Sequence, residues 1–229
     1  MEDTERLYLK SGESKVELSS VIGVDECGRG SLISSVVAGA VLWRPYYFFE
    51  GLNDSKQLNL KQREKLYQEF EESNLLFAIG SANIKEIEEE NILYATRLAM
   101  EGAINLVIKK SIGPMLIAIT SPPSVLIDGK FCKNVCIRND DIKQKWIVKG
   151  DTKEPSIMAA SIVAKVLRDR SIKKLVDKFP EYEKYGWKTN VGYGTKEHLE
   201  AIKKYGITPL HRKTFDPIKT WLAEGIIKE

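Results

Sequence analysis

The stretch Val21-Ile-Gly-Val-Asp-Glu-Cys-Gly-Arg-Gly30 constrains this chain more than any other. Val21, Ile22 and Val24 are strand formers, and the change to glycine at Gly28 and Gly30 marks a strand running into a tight bend. Asp25 and Glu26 then sit on a sheet, where successive side chains point to opposite faces. On a central, covered strand two neighbouring acids are not both casually solvated, so one faces the interior or a cleft. A polar strand end is the bland reading of the pair. A phosphate-binding dinucleotide turn fits poorly. That motif needs a third glycine where Ile33 stands, and an acid about 20 residues after the glycines rather than ahead of them.

The rest of the chain bounds the partners of this strand. Its 229 residues suit one large domain, or one domain with an appendage, and 43% hydrophobic residues suffice for a packed core. The 35 basic and 32 acidic residues leave a formal charge of +3, so a case for an anionic partner rests on how charge is distributed. Cys27, Cys132 and Cys136 are too few for a disulfide framework, which points to a reducing compartment. Cys132 and Cys136 lack two further ligands for a zinc site. With a polar leader over residues 1–20 and no apolar run of about 18 residues, the expectation is a soluble, cytoplasmic, monomeric protein without membrane contact.

Periodicity predicts the elements. Val21 to Trp43 reads as a hairpin-like pair of strands, and Asn53-Asp-Ser-Lys56 as a polar loop. Leu60 to Phe70 reads as a helix, Leu75 to Ala82 as a strand, and Ile84 to Lys110 as a helix broken near Asn91. Pro122-Pro123 stops that region. Ser124 to Asp128 and Trp146 to Lys149 read as two more strands, the first followed by Gly129 and the second by Gly150 and Asp151. From Pro155 onward the pattern is helical, with Ile157 to Arg170 apolar enough to lie against the sheet. The expected class is an α/β mixed sheet with a helical C-terminal third.

Three apolar strands therefore end in carboxylates: Asp25 with Glu26, Asp128, and Asp151. Adjacent strands lie about 4.8 Å apart, so if these ends are neighbours four acids converge. Each pair at about 4 Å repels by roughly 4 kcal/mol at an effective dielectric near 20, so a cation is required. Hard oxygen ligands without cysteine or histidine select Mg2+ or Mn2+. Two such ions about 3.5 to 4 Å apart suit phosphodiester hydrolysis.

At this point a family resemblance is specific. Gly23-Val-Asp-Glu-Cys-Gly-Arg-Gly30, Asn53-Asp-Ser-Lys56, Leu126-Ile-Asp-Gly129, Val148-Lys-Gly-Asp151, Ala159-Ala-Ser-Ile-Val-Ala-Lys165 with Arg168-Asp169, and Gly192-Tyr-Gly-Thr-Lys-Glu-His198 closely resemble ribonuclease HII. The tail from Gly206 through Pro209, His211-Arg212 and Phe215 to Lys219 extends the match. The resemblance implies a ribonuclease H-like mixed five-stranded sheet flanked by helices. The core would span residues 21–175 and a helical C-terminal segment residues 176–229. It implies an endonuclease that cuts the RNA strand of RNA/DNA hybrids and incises duplex DNA at embedded ribonucleotides, leaving 5′-phosphate and 3′-hydroxyl ends. The family's metal-binding acids fall on Asp25, Glu26, Asp128 and Asp151, its ribonucleotide-sensing motif on Gly28, Arg29 and Gly30, and its sensing tyrosine on Tyr193. A related type with Gly-Lys-Gly in this position fits less well.

The residues support that assignment in their own chemistry. Glycines let a backbone approach the 2′-hydroxyl that separates RNA from DNA, an arginine fork grips phosphate, and a tyrosine offers a ring and a hydroxyl to a sugar. Cys27, Ser31 and Val191 depart from the family's usual small apolar residue, proline and lysine; the last two are expected to cost loop stiffness and one backbone contact. Lys56, Lys165 and Arg212 are candidate contacts to the duplex backbone, as are Lys149, Arg168, Lys196, His211 and Lys213. His198 and His211 are expected to hydrogen-bond rather than bind metal. Two competing readings are a DNA nuclease with the same carboxylates, disfavoured by Gly28-Arg-Gly30 with Tyr193, and a noncatalytic nucleic-acid-binding module, disfavoured by the four retained acids.

Overall fold

The computed structural model describes residues 20–111, 124–130, 137 and 142–228. The polar leader, Pro122-Pro123, Cys132 and Cys136 lie outside the described residues. Strands β1 (Val21–Cys27) and β2 (Val36–Trp43) pair antiparallel, with Asp25 opposite Gly39. Helix α1 (Leu60–Glu72), strand β3 (Phe77–Ala82), and helices α2 (Ile84–Glu90) and α3 (Ile92–Ser111) follow. Strands β4 (Ser124–Asp128) and β5 (Gln144–Ile147) complete a five-stranded sheet of order β3-β2-β1-β4-β5. The sheet is mixed, because β4 joins β1 in parallel and β5 joins β4 in parallel. After it come α4 (Pro155–Lys178), α5 (Trp187–Asn190), α6 (Lys196–Tyr205) and α7 (Ile218–Ala223). No described helix is long and apolar enough to cross a membrane.

The break expected near Asn91 is real: Asn91 leaves helical geometry at φ 125, and its side-chain oxygen caps Leu93 and Tyr94. The alternation of β1 assigns its side chains to two layers. Ile22 and Val24 enter the core beneath α3, together with Val125 and Ile127 of β4. Gly23 and Asp25 face α4. Glycine at 23 is what lets α4 dock, since a Cβ there would sit 2.1 Å from the Ser156 carbonyl carbon. Gly39 plays the same part against Ala160, and Gly80 against Ala99 on the α3 face.

Two expectations are corrected. β5 ends at Ile147 instead of Lys149, because Lys149 turns left-handed at φ 57; Asp151 therefore lies in a 3-10 turn (Gly150–Thr152), not on a strand end. The C-terminal third is not helical throughout. Residues 191–195 and 206–217 are irregular, broken at Gly192, Gly194, Gly206, Pro209 and Pro217. Two isolated bridges, Ser31 with Tyr193 and Ile33 with His211, stitch these stretches to the loop after β1.

Candidate active site

The parallel register Val24 with Ile127 puts Asp25 and Asp128 at the next position of neighbouring strands. Asp25 is buried, its Oδ1 accepting the Glu26 N–H at 2.8 Å. Its carboxyl titrates well above the usual range, first because burial strips its water and then because the Glu26 and Asp128 charges repel it. A hydrogen bond from Ser161 on α4 partly offsets this. Asp128 is likewise raised by burial, then by the Asp151 charge and, more weakly, by Glu26. Its Oδ1 accepts the N–H of Gly150 at 2.6 Å and that of Asp151 at 3.3 Å, which ties the 3-10 turn to the end of β4. The four acids are thus brought together, and the two raised carboxyls owe their shift first to burial and then to the neighbouring carboxylates.

Two flexible cations lie against the cluster. Lys56 Nζ is 2.8 Å from Asp151 Oδ2, and Arg29 Nη1 is 2.8 Å from Glu26 Oε1. No group of three or more His, Cys, Asp or Glu side chains among the described residues is set to hold a metal ion. The donor chemistry nevertheless fits a hard divalent cation: four carboxylates, no thiolate or imidazole, and two carboxyls that burial and then crowding have pushed upward. The Lys56 side chain is 75% exposed and that of Arg29 46%.

The expected sensing residues form a second group beside the acids. Gly28 adopts φ +89 and lies flat on Arg168, where a Cβ would be 2.2 Å from Nε. Gly30 is different: its φ is unexceptional, and a Cβ there would meet nothing within 4 Å. The fold does not require glycine at 30, which leaves that backbone open to an approaching molecule. Tyr193 is half-buried, with its hydroxyl 4.0 Å from Cys27 Sγ and its ring 5.4 Å from Lys165 Nζ. Burial first, then the nearby Cys27, pushes its hydroxyl up to about 12.

Some expected duplex contacts are corrected. Arg212 is 0% exposed; its Nε donates to Ser34 O at 2.8 Å and its Nη1 to Arg29 O at 2.9 Å. Burial, then the Arg168 charge, lowers it to about 9. It brackets the Gly28–Gly30 loop from beneath and offers no surface to phosphate. Arg168 is also buried, donating from Nη1 to Val191 O at 3.1 Å. Lys165 pairs with Asp169 at 3.0 Å, and Lys56 stands at the acids.

His198 and His211 hydrogen-bond as expected, with their Nε2 atoms 3.3 Å apart. His198 Nε2 accepts from Trp187 Nε1 at 2.9 Å, and His211 Nδ1 accepts the Thr208 N–H at 2.9 Å. These bonds fix complementary neutral tautomers: His211 donates to His198, which donates from Nδ1 to Tyr193 O at 3.0 Å. Both are held neutral by burial, and His211 falls to about 3. The buried pair thereby carries no charge toward phosphate.

Three serines were missed in the sequence, two of them a pair. Ser161 and Ser55 share a 2.7 Å hydrogen bond that links the Asn53–Lys56 loop to the residue holding Asp25. Serines carry no periodic signal, and only their place inside otherwise recognisable motifs marks them. Ser31 is the third. Expected merely to soften a loop, it is buried with its hydroxyl 3.0 Å from Gly192 O.

Comparison with known proteins adds the relatives of the chain. The family model described as Ribonuclease HII matches residues 22–218. A ribonuclease HII of Pelagibacter ubique is 48% identical over 200 residues, covering 87% of this chain and 97% of its own. One from Coxiella burnetii is 44% identical over 199 residues, covering 87% and 89%. Among solved structures, the ribonuclease H2 of Pyrococcus horikoshii OT3 superposes with a TM-score of 0.64 at 26% identity, covering 90% of this chain and 98% of its own. Bst-RNase HIII in complex with Mn2+ shares the fold, with a TM-score of 0.68 at 18% identity over 92% of this chain and 71% of its own.

Proposed function

The chain belongs to the ribonuclease HII family, and on that premise we propose that it hydrolyses the RNA strand of RNA/DNA hybrids and incises duplex DNA at an embedded ribonucleotide, with Asp25, Glu26, Asp128 and Asp151 as the metal-holding catalytic acids. The observation that carries this reading is the convergence of the four carboxyls, tied together by the Gly150 and Asp151 N–H groups on Asp128, with Asp25 raised by burial and then by Glu26 and Asp128, and Asp128 raised by burial and then by Asp151 and Glu26. Such crowding is costly to a fold and is tolerated where a cation and a phosphate are to meet. Bound by these carboxylates, Mg2+ or Mn2+, two ions in the fullest form of the proposal, would supply Lewis-acid stabilisation of phosphoryl charge and a water acidified enough to attack phosphorus.

The chain's own residues prepare that chemistry. Ser161 and the Glu26 N–H hold Asp25 in one orientation, and the N–H groups of Gly150 and Asp151 hold Asp128. Lys56 and Arg29 neutralise two acids in the free protein and move onto substrate phosphates when the acids take their cations. Arg212 holds the Arg29 carbonyl from below, so the Gly28–Gly30 backbone presents a fixed edge to a sugar. The open face of Gly30 admits the 2′-hydroxyl, and the Tyr193 ring and hydroxyl close on the same sugar. Lys165 of α4, paired with Asp169 in the free protein, is the further candidate for a phosphate contact.

The test is gel-resolved cleavage of three end-labelled duplexes in Mg2+ or Mn2+: all-DNA, DNA with one ribonucleotide, and an RNA/DNA hybrid. Cuts in the last two but not the first, abolished by chelator and leaving 3′-hydroxyl and 5′-phosphate ends, support the proposal. Cleavage of all-DNA at a comparable rate would make the protein a DNA nuclease instead. Tight metal-dependent binding without cuts would make it a binding module.

A further inference from the structure

Tyr193 sits on a turn that the sequence alone would not hold still. Val191 has φ 44, a left-handed geometry that a β-branched residue adopts only under constraint. The constraint comes from several segments. Arg168 Nη1 donates to Val191 O, Asn190 Oδ1 accepts the Gly192 N–H at 2.8 Å, and the Thr195 N–H and His198 reach Tyr193 O. From the segment that carries Gly28 and Gly30, two hydrogen bonds cross to the turn. One is backbone, the Leu32 N–H to Gly192 O at 2.9 Å. The other belongs to a side chain: Ser31 Oγ lies 3.0 Å from that same carbonyl and 3.1 Å from Ile33 O, between which it shares its single proton.

We propose that Ser31 is a positioning residue for ribonucleotide recognition, its hydroxyl fixing the Gly192 carbonyl and so setting Tyr193 against the Gly28–Gly30 backbone. This rests on the function proposed above. Ser31 is 0% exposed and its backbone pairs with that of Tyr193 in an isolated antiparallel bridge, so its hydroxyl is shut off from substrate and acts through the Gly192 carbonyl, one residue before Tyr193. The Leu32 bond survives any change at Ser31, so losing the hydroxyl loosens the pose without undoing the turn. The substrates respond unequally. A hybrid offers a 2′-hydroxyl in every register, whereas a duplex with one ribonucleotide offers it in one, so a wandering Tyr193 costs the second substrate more.

The experiment measures kcat/KM for the single-ribonucleotide duplex divided by kcat/KM for the hybrid, a ratio in which any loss of active fraction cancels. Ser31→Ala lowers it about fivefold, the factor that one net hydrogen bond is worth. Ser31→Cys, of similar size with a weak S–H donor, falls between alanine and wild type and serves the same test if the alanine variant does not fold. In a Tyr193→Ala background, Ser31→Ala leaves the ratio unchanged. A wild-type ratio for both Ser31 variants, or an equal fall with and without Tyr193, overturns the proposal. If the wild-type protein cuts neither substrate, the function reading itself is what fails.

Discussion

Lys56 Nζ lies 2.8 Å from Asp151 Oδ2, so the free protein meets its acid cluster with an ammonium supplied by its own chain. The hydrogen bond to Asp151 raises the Lys56 pKa, and the Asp25 and Asp54 charges add to this. An ion pair exposed on the lysine side contributes little stability, about 1 kcal/mol at most. Asp151 on the other side is buried, however, so Lys56→Ala should lower the metal-free melting temperature and tighten Mn2+ binding by a few fold in calorimetry, since a competing cation is gone. Substrate KM should rise. Weaker metal binding in the variant would show that Lys56 organises the acids instead of competing for them.

Asp128→Asn keeps an Oδ1 for the Gly150 and Asp151 N–H groups while deleting one charge from a crowded site. The expected outcome is nearly complete loss of cleavage, with a metal-free melting temperature equal to or above that of wild type. Full turnover in excess Mg2+ would remove Asp128 from the catalytic set.

Gly28 and Gly30 separate a glycine needed by the fold from one free to serve a ligand. Gly28→Ala places a methyl 2.2 Å from Arg168 Nε at φ +89 and should destabilise by about 1 to 3 kcal/mol. Gly30→Ala meets open space and should melt like wild type, yet lose at least tenfold in cleavage of a single-ribonucleotide duplex. Denaturant titration beside kinetics on both variants checks the contrast. A fully active Gly30→Ala would mean that nothing approaches that backbone closely.

Arg212 and Lys165 should part company in the same way. Arg212→Ala strands the Ser34 and Arg29 carbonyls and should cost about 3 kcal/mol or more, seen as a large fall in urea midpoint. Lys165→Ala should fold normally and reduce the log-log salt slope of duplex binding by about 0.9, the share of one phosphate contact. An unchanged slope would take Lys165 off the binding face.

The buried imidazoles predict an acid limb in stability. His211 is lowered to about 3 in the folded state, against 6.5 for the ordinary side chain, and His198 is lowered too. Between those values the unfolded chain binds more protons than the folded one. Stability is then full above about pH 6.5 and declines as pH falls, by about 1.4 kcal/mol per pH unit for each proton. Asp25 and Asp128, raised in the folded state, act in the opposite sense, so the check is the difference in urea midpoint between wild type and His211→Gln from pH 7.5 to 4.5, which should shrink as pH falls. A pH-independent difference would contradict the neutral pair.

The parts of this molecule whose physics is local were legible in residue order. β-branched runs specified β1 and β2, and the polar break at Asn91 was legible because a side-chain cap competes with helix over a few residues. The candidate acids stood out because Asp25, Glu26 and Asp128 close apolar runs that became strands and Asp151 comes shortly after another, and the register of β1 with β4 follows from burying Ile22, Val24, Val125 and Ile127 on one face. What stands on residue order alone could not go further with side chains whose partners lie far along the chain. Whether an arginine is a surface cation or a buried bracket depends on which segments close over it: Arg212 is paired with residues 178 and 183 positions away. The same holds for Ser161 beneath Asp25, for the His198 and His211 tautomers, and for the Ser31 hydroxyl on Gly192 at a separation of 161. Only packing decided those, because a hydrogen bond between remote segments leaves no periodicity in either of them.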